Sequence, residues 1–65
     1  MMCVSTAYLV TPEGESKVMD YVVNIIPEEG GRLFLTDILG EEKMVDGMLK
    51  EVDLLKNKIV IEKAV

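Results

Sequence analysis

The 65-residue sequence contains no histidine and a single cysteine. Those two shortages remove a good deal of chemistry. Without histidine, neither the usual Cys–His nucleophile pair nor the common zinc-finger ligand sets can be assembled. One thiol per chain excludes an internal disulfide, so no covalent staple holds the fold. Positive charge is also scarce: seven Lys and Arg stand against twelve Asp and Glu, giving a net charge of −5. The basic residues (Lys17, Arg32, Lys43, Lys50, Lys56, Lys58 and Lys63) are scattered along the chain. Affinity for nucleic acid rests on phosphate neutralisation, so no nucleic-acid partner is expected. No apolar run approaches the roughly 18 residues of a membrane span, and no charged start followed by an apolar stretch marks a secretory signal. The expectation is a chain with no membrane association in a reduced, cytoplasmic compartment, where the lone thiol stays free.

Alanine is rare as well. Two Ala stand against 17 Val, Ile and Thr. Branching at Cβ suits a pleated surface and costs entropy in a helix, so the chain reads as all-β. A hydrophobic fraction of 49% excludes intrinsic disorder. A domain this short hides only about 60% of its unfolded surface, and burying that much apolar area calls for a partner chain. A homodimer is the expected assembly, with residues 1–65 as a single domain.

Turn signals divide the sequence: Pro12-Glu13-Gly14, Pro27-Glu28-Glu29-Gly30-Gly31, Gly40, Asp46-Gly47 and Lys56-Asn57. Between them, strands are expected at 3–11, 16–26, 32–38, 43–45 with 48–54, and 58–63. In the second, Met19, Tyr21, Val23 and Ile25 should share one face, opposite Val18, Asp20, Val22 and Asn24. Leu33 and Leu35 alternate with Phe34 and Thr36, and Ile59 and Ile61 alternate with Lys58, Val60 and Glu62. Short strands at regular spacing point to a small barrel or a strongly curved antiparallel sheet of five to six strands. One segment competes. Over 41–55, Met44, Val45, Met48, Leu49, Val52 and Leu55 recur at helical spacing, with Gly47 and the Asp46-Gly47 hairpin signal against a helix.

Few residues offer chemistry. Gly30-Gly31 lacks the Lys-Ser/Thr that follows a phosphate-binding loop and reads as a turn. Glu28-Glu29 and Glu41-Glu42 read as solvated faces, and Met19, Met44 and Met48 as core filler. No residue is assigned a catalytic role, and no enzyme is expected. Cys3 remains. A free cysteine is ordinarily a small buried hydrophobe, but this one lies close to the start. Were Met2 the first residue and removed, Cys3 would carry a free α-amine. Amine, thiolate and backbone nitrogen (the Val4 amide among them) can converge on one metal, and nitrogen-rich tetragonal sites suit Ni(II) and Cu(II).

The order of segments resembles the CooT family, small nickel-binding proteins associated with carbon monoxide dehydrogenase maturation. The resemblance begins at Met2-Cys3 and Ser5-Thr6-Ala7-Tyr8-Leu9-Val10. It continues through Ile25-Ile26-Pro27-Glu28-Glu29-Gly30-Gly31 and Leu33-Phe34-Leu35-Thr36-Asp37-Ile38-Leu39-Gly40-Glu41. It ends with Gly47-Met48-Leu49-Lys50-Glu51-Val52-Asp53-Leu54 and Lys58-Ile59-Val60-Ile61-Glu62. What the resemblance implies is a homodimer of SH3-like barrels in which the N-terminal cysteine, here Cys3, is the nickel ligand. It also implies strands rather than a helix over 41–55. The additional Met1 departs from the family pattern, because Met before Met resists processing. The resulting expectation is a metallochaperone or nickel buffer, with one Ni(II) shared across the dimer. Its service would be to a nickel enzyme such as carbon monoxide dehydrogenase or to its maturation factors. The alternative is an SH3-like RNA- or protein-interaction module with an inert cysteine.

Overall fold

Local turn chemistry cuts the chain into five strands. In the computed structural model, which describes residues 4–63, these are β1 (Ser5–Thr11), β2 (Gly14–Glu28), β3 (Arg32–Asp37), β4 (Glu42–Asp53) and β5 (Lys58–Lys63). Pro12-Glu13 forms a tight hairpin between the paired Thr11 and Gly14, and the Glu13 amide donates to Thr11 Oγ1 at 3.2 Å. Gly30 and Gly31 take φ of 80° and 71° in the β2–β3 loop, a backbone region that glycine enters without a Cβ penalty. Asn57 adopts φ 52° in the β4–β5 turn, where Asp53 Oδ1 accepts from the Leu55 and Lys56 amides at 3.1 Å each.

The strands close into a barrel in sequence order, each neighbour pair antiparallel except the last. With an odd number of strands in such a meander, the first and last run the same way. β1 and β5 therefore pair in parallel, from Thr6↔Lys58 to Val10↔Glu62, and close the expected small barrel. Lys58 braces this closure, lying 5.1 Å above the Tyr8 ring of β1 and 3.3 Å from Glu15 of β2.

The two long strands each serve two partners. β2 pairs with β1 up to Val22 and with β3 from Val22 to Glu28. The change occurs at a bulge where Tyr21 holds φ 55°. That extra residue breaks the alternation expected for β2. Met19 and Val22 are the buried positions, three apart, while Tyr21 and Val23 are 60% and 50% exposed.

β4 makes the same exchange, pairing with β3 through Asp46 and with β5 from Gly47 onwards. The expected break into 43–45 and 48–54 with an Asp46-Gly47 turn is therefore incorrect, since β4 runs without interruption. Gly47 is needed for close approach, and its φ is not positive. A Cβ there would lie 2.6 Å from Glu62 O and 2.8 Å from Ile61 Cγ2. The helical alternative over 41–55 also fails. Of its apolar positions only Val45 is buried, while Met44, Met48, Leu49, Val52 and Leu55 are exposed.

Ala7, Met19, Val22, Leu33, Leu35, Val45, Ile59 and Ile61 form one core cluster, with Leu35 and Ile61 fully buried. Burying a side chain of that size contributes about 1.5–3 kcal/mol. Leu35→Ala should therefore lower the unfolding free energy by about 2–5 kcal/mol in urea denaturation, transfer and cavity terms together. Gly47→Ala should cost about 1–3 kcal/mol because the added methyl meets backbone rather than a movable side chain. Wild-type stability of that variant would show that β4 and β5 separate freely.

Candidate functional site

Cys3, the sequence-predicted metal ligand, lies outside the described residues. Val4, whose amide was the second candidate ligand, is half-buried and precedes β1. The chain is anchored immediately afterwards. Ser5 pairs with Val22, and the Thr6 amide donates to Asn57 O at 2.9 Å, tying the start of β1 to the β4–β5 turn. Thr6 Oγ1 also donates to Asp20 Oδ1 at 3.3 Å.

This end of the barrel is apolar and exposed. Ser5, Val22, Val23, Asn24, Ile25, Val52, Leu54 and Ile59 line a hollow between the second halves of β2 and β4, which do not pair. Leu54 is 79% exposed and Leu55 97%. Val23, Val52, Leu54 and Leu55 thus leave apolar side chain exposed at this end of the barrel.

The opposite seam, between the first halves of β2 and β4, is polar. Lys43 Nζ reaches across it to Val18 O at 3.0 Å. Asp20, Tyr21, Asp37, Glu41 and Glu42 line the cleft. Two of these carboxylates, Asp37 and Asp20, are committed locally. Asp37 Oδ1 accepts from the Leu39 and Glu41 amides at 2.9 Å each, folding the β3–β4 turn. The hydrogen bond from Lys17 Nζ at 2.9 Å holds the Asp20 carboxyl below its usual range. Its positive charge and the Thr6 hydroxyl reinforce the effect, and desolvation partly opposes it. The same contact raises Lys17 above its ordinary value. Among the described residues, no group of three or more Cys, Asp or Glu is placed to hold a metal ion. Sequence reasoning missed both the Asp37 turn and the apolar rim. Asp followed two and four residues later by turn amides was the available signal for the first, and the consecutive Leu54-Leu55 in a turn for the second.

A family model for the CO dehydrogenase accessory protein CooT matches residues 2–62. The chain belongs to the CooT family. Among solved structures, the crystal structure assigned to CooT of Carboxydothermus hydrogenoformans is similar. It is 28% identical, with 97% of this chain and 100% of that chain covered and a TM-score of 0.86. No curated protein matches the chain. The CooT family supplies accessory proteins of CO dehydrogenase, so this member of the family is a helper of an enzyme and not itself one. Among the described residues, no helix is long and apolar enough to cross a membrane.

Two measurements check the local chemistry. Asp37→Ala should cost about 1–3 kcal/mol in denaturation, because two turn amides lose their acceptor, while Asp37→Asn should retain most of the stability. Asp20 should titrate by NMR below the ordinary carboxylate range, and Lys17→Met should bring it back up. Since the folded value is depressed, the contribution of the pair is present above the unfolded value and is lost as pH falls through the folded one.

Proposed function

We propose that this protein is a homodimeric nickel carrier or buffer for CO dehydrogenase maturation, working in the cytoplasm. In this reading one Ni(II) is shared between the Cys3 thiolates of two chains. The observation that carries it is the position at which the chain enters the barrel. Ser5 lines the same hollow on the apolar rim as the exposed Leu54, and the Thr6 amide donates to Asn57 in the turn that also carries Leu55. Two residues of chain reach no further than about 7 Å from Ser5. A contact that buries this rim in a two-fold dimer therefore brings two cysteines within reach of one ion.

Two chains are needed because one chain has one thiolate. A single thiolate with backbone nitrogens is an incomplete set, whereas two thiolates and two nitrogens make a planar array that suits Ni(II). The Val4 amide is the nearest nitrogen after that of Cys3, and the α-amine joins the set only where processing exposes it. The apolar rim supplies the dimer's driving force. Each Leu buried there contributes on the order of 2 kcal/mol.

Cys3→Ser should abolish tight nickel binding by calorimetry while leaving the dimer folded, because a hydroxyl stays protonated where a thiol ionises. Wild-type binding should weaken as pH falls, since thiol and nitrogen must both lose protons. Unchanged affinity in Cys3→Ser would remove the chemical support for the nickel role. Leu54→Asp together with Leu55→Asp should give a monomer by light scattering, with the barrel intact by circular dichroism. A dimer that survives both carboxylates would place the interface elsewhere.

A further inference from the structure

Phe34 is the chain's only phenylalanine, and the fold does not use it in the core. Its neighbours Leu33 and Leu35 point inward, so Phe34 faces out from the middle of β3. The register sets Ile26 of β2 directly opposite it on one side and Met44 of β4 on the other. Ile26 is 42% exposed and Met44 46%. Three large apolar side chains therefore form one row across the outer face of three strands. The rows on either side are polar: Asn24, Thr36 and Glu42 on one flank, Glu28, Arg32 and Asp46 on the other.

Phe34 is half-buried between the exposed Ile26 and Met44, and the row leaves an apolar strip on the surface that the core cluster does not use. From this row we infer a second docking surface, distinct from the apolar rim near Ser5. Its occupant is a protein surface with an apolar ridge bordered by Lys or Arg. Charge decides against a second copy of this chain. The flanking rows carry three carboxylates and one guanidinium, and Arg32 Nε already leans on Glu29 O at 3.4 Å. Two such faces brought together would set carboxylates against carboxylates, whereas a basic border on a partner would complement them. An aromatic anchor at the centre of an apolar strip with a polar rim is the usual anatomy of a contact hot spot. The inference rests on the accessory role of the family and needs no nickel site. It assigns this outer face to the enzyme being served and leaves the rim to the dimer.

The test uses the full-length dimer and purified CO dehydrogenase from the same cells as the probe, by biolayer interferometry. Ile26→Thr, Phe34→Thr and Met44→Thr combined keep strand-forming residues on the face. The triple variant should weaken binding by more than about tenfold. Glu42→Lys with Asp46→Lys should weaken it as well, and added salt should weaken the wild type. Dimer mass by light scattering and nickel stoichiometry by calorimetry should be unchanged in both variants, which separates this surface from the metal site. Should the triple variant fail to fold, the charge variant still decides the matter. Wild-type binding by either variant overturns the proposal, as does a fall in dimer mass, which would give the face to a second copy. No binding by the wild type also overturns it, and the parallel nickel titration then shows whether the carrier reading survives.

Discussion

Closing a barrel from so short a chain requires two strands to change partners part-way along. β2 does this through the Tyr21 bulge, and β4 through the bare backbone of Gly47. The rest of the structure depends on these two bends. Without them the sheet would stay open, and Leu35 and Ile61, at the centre of the core, would be wetted on one side. A left-handed φ on tyrosine costs about 1–2 kcal/mol, which the surrounding pairing must offset. Its carbonyl accepts from the Ile38 amide at 2.9 Å, so the bulge and the Asp37 turn lock one another.

The bends also create the functional surfaces. Where each long strand leaves one partner for the next, the barrel wall parts into a seam. One seam is crossed by Lys43 and lined with carboxylates, of which Asp37 and Asp20 have hydrogen-bond partners. The other is lined with Val and Leu, and the chain enters β1 beside it. The same topology that economises on strands thus leaves an exposed apolar hollow beside Ser5, at the start of β1. Under the proposed carrier function, a site completed only by association would make nickel affinity depend on the dimer and on pH.

Much of the fold was legible from local residue chemistry. The turns at Pro12-Glu13, Gly30-Gly31 and Asn57 follow from backbone preferences that act within a few residues. The alternation in β3 marks its core leucines directly, whereas in β5 Val60 is buried along with Ile59 and Ile61. What was not legible is non-local. Gly47 reads as a turn residue because Asp-Gly often is one, and only the approach of β5 shows that it is there for lack of a side chain. The Tyr21 bulge inverts the faces of β2, and nothing near it in the sequence announces a left-handed tyrosine. The parallel closure follows from strand count and could have been derived by parity. Cys3 was singled out by its chemistry and position, and it lies outside the described residues. The exposed apolar rim near Ser5 had one local signal, the consecutive Leu54-Leu55 in a turn, which is easily read as the continuation of an ordinary hydrophobic pattern.

The central claim is that one nickel ion joins two chains. Native mass spectrometry during a nickel titration tests it most directly, because it resolves chain number and metal number in one species. The account predicts a dimer that takes up a single Ni(II), with singly loaded dimer accumulating and saturating before any further ion binds. A monomer carrying its own nickel, or a dimer that fills with two independent ions, would contradict it.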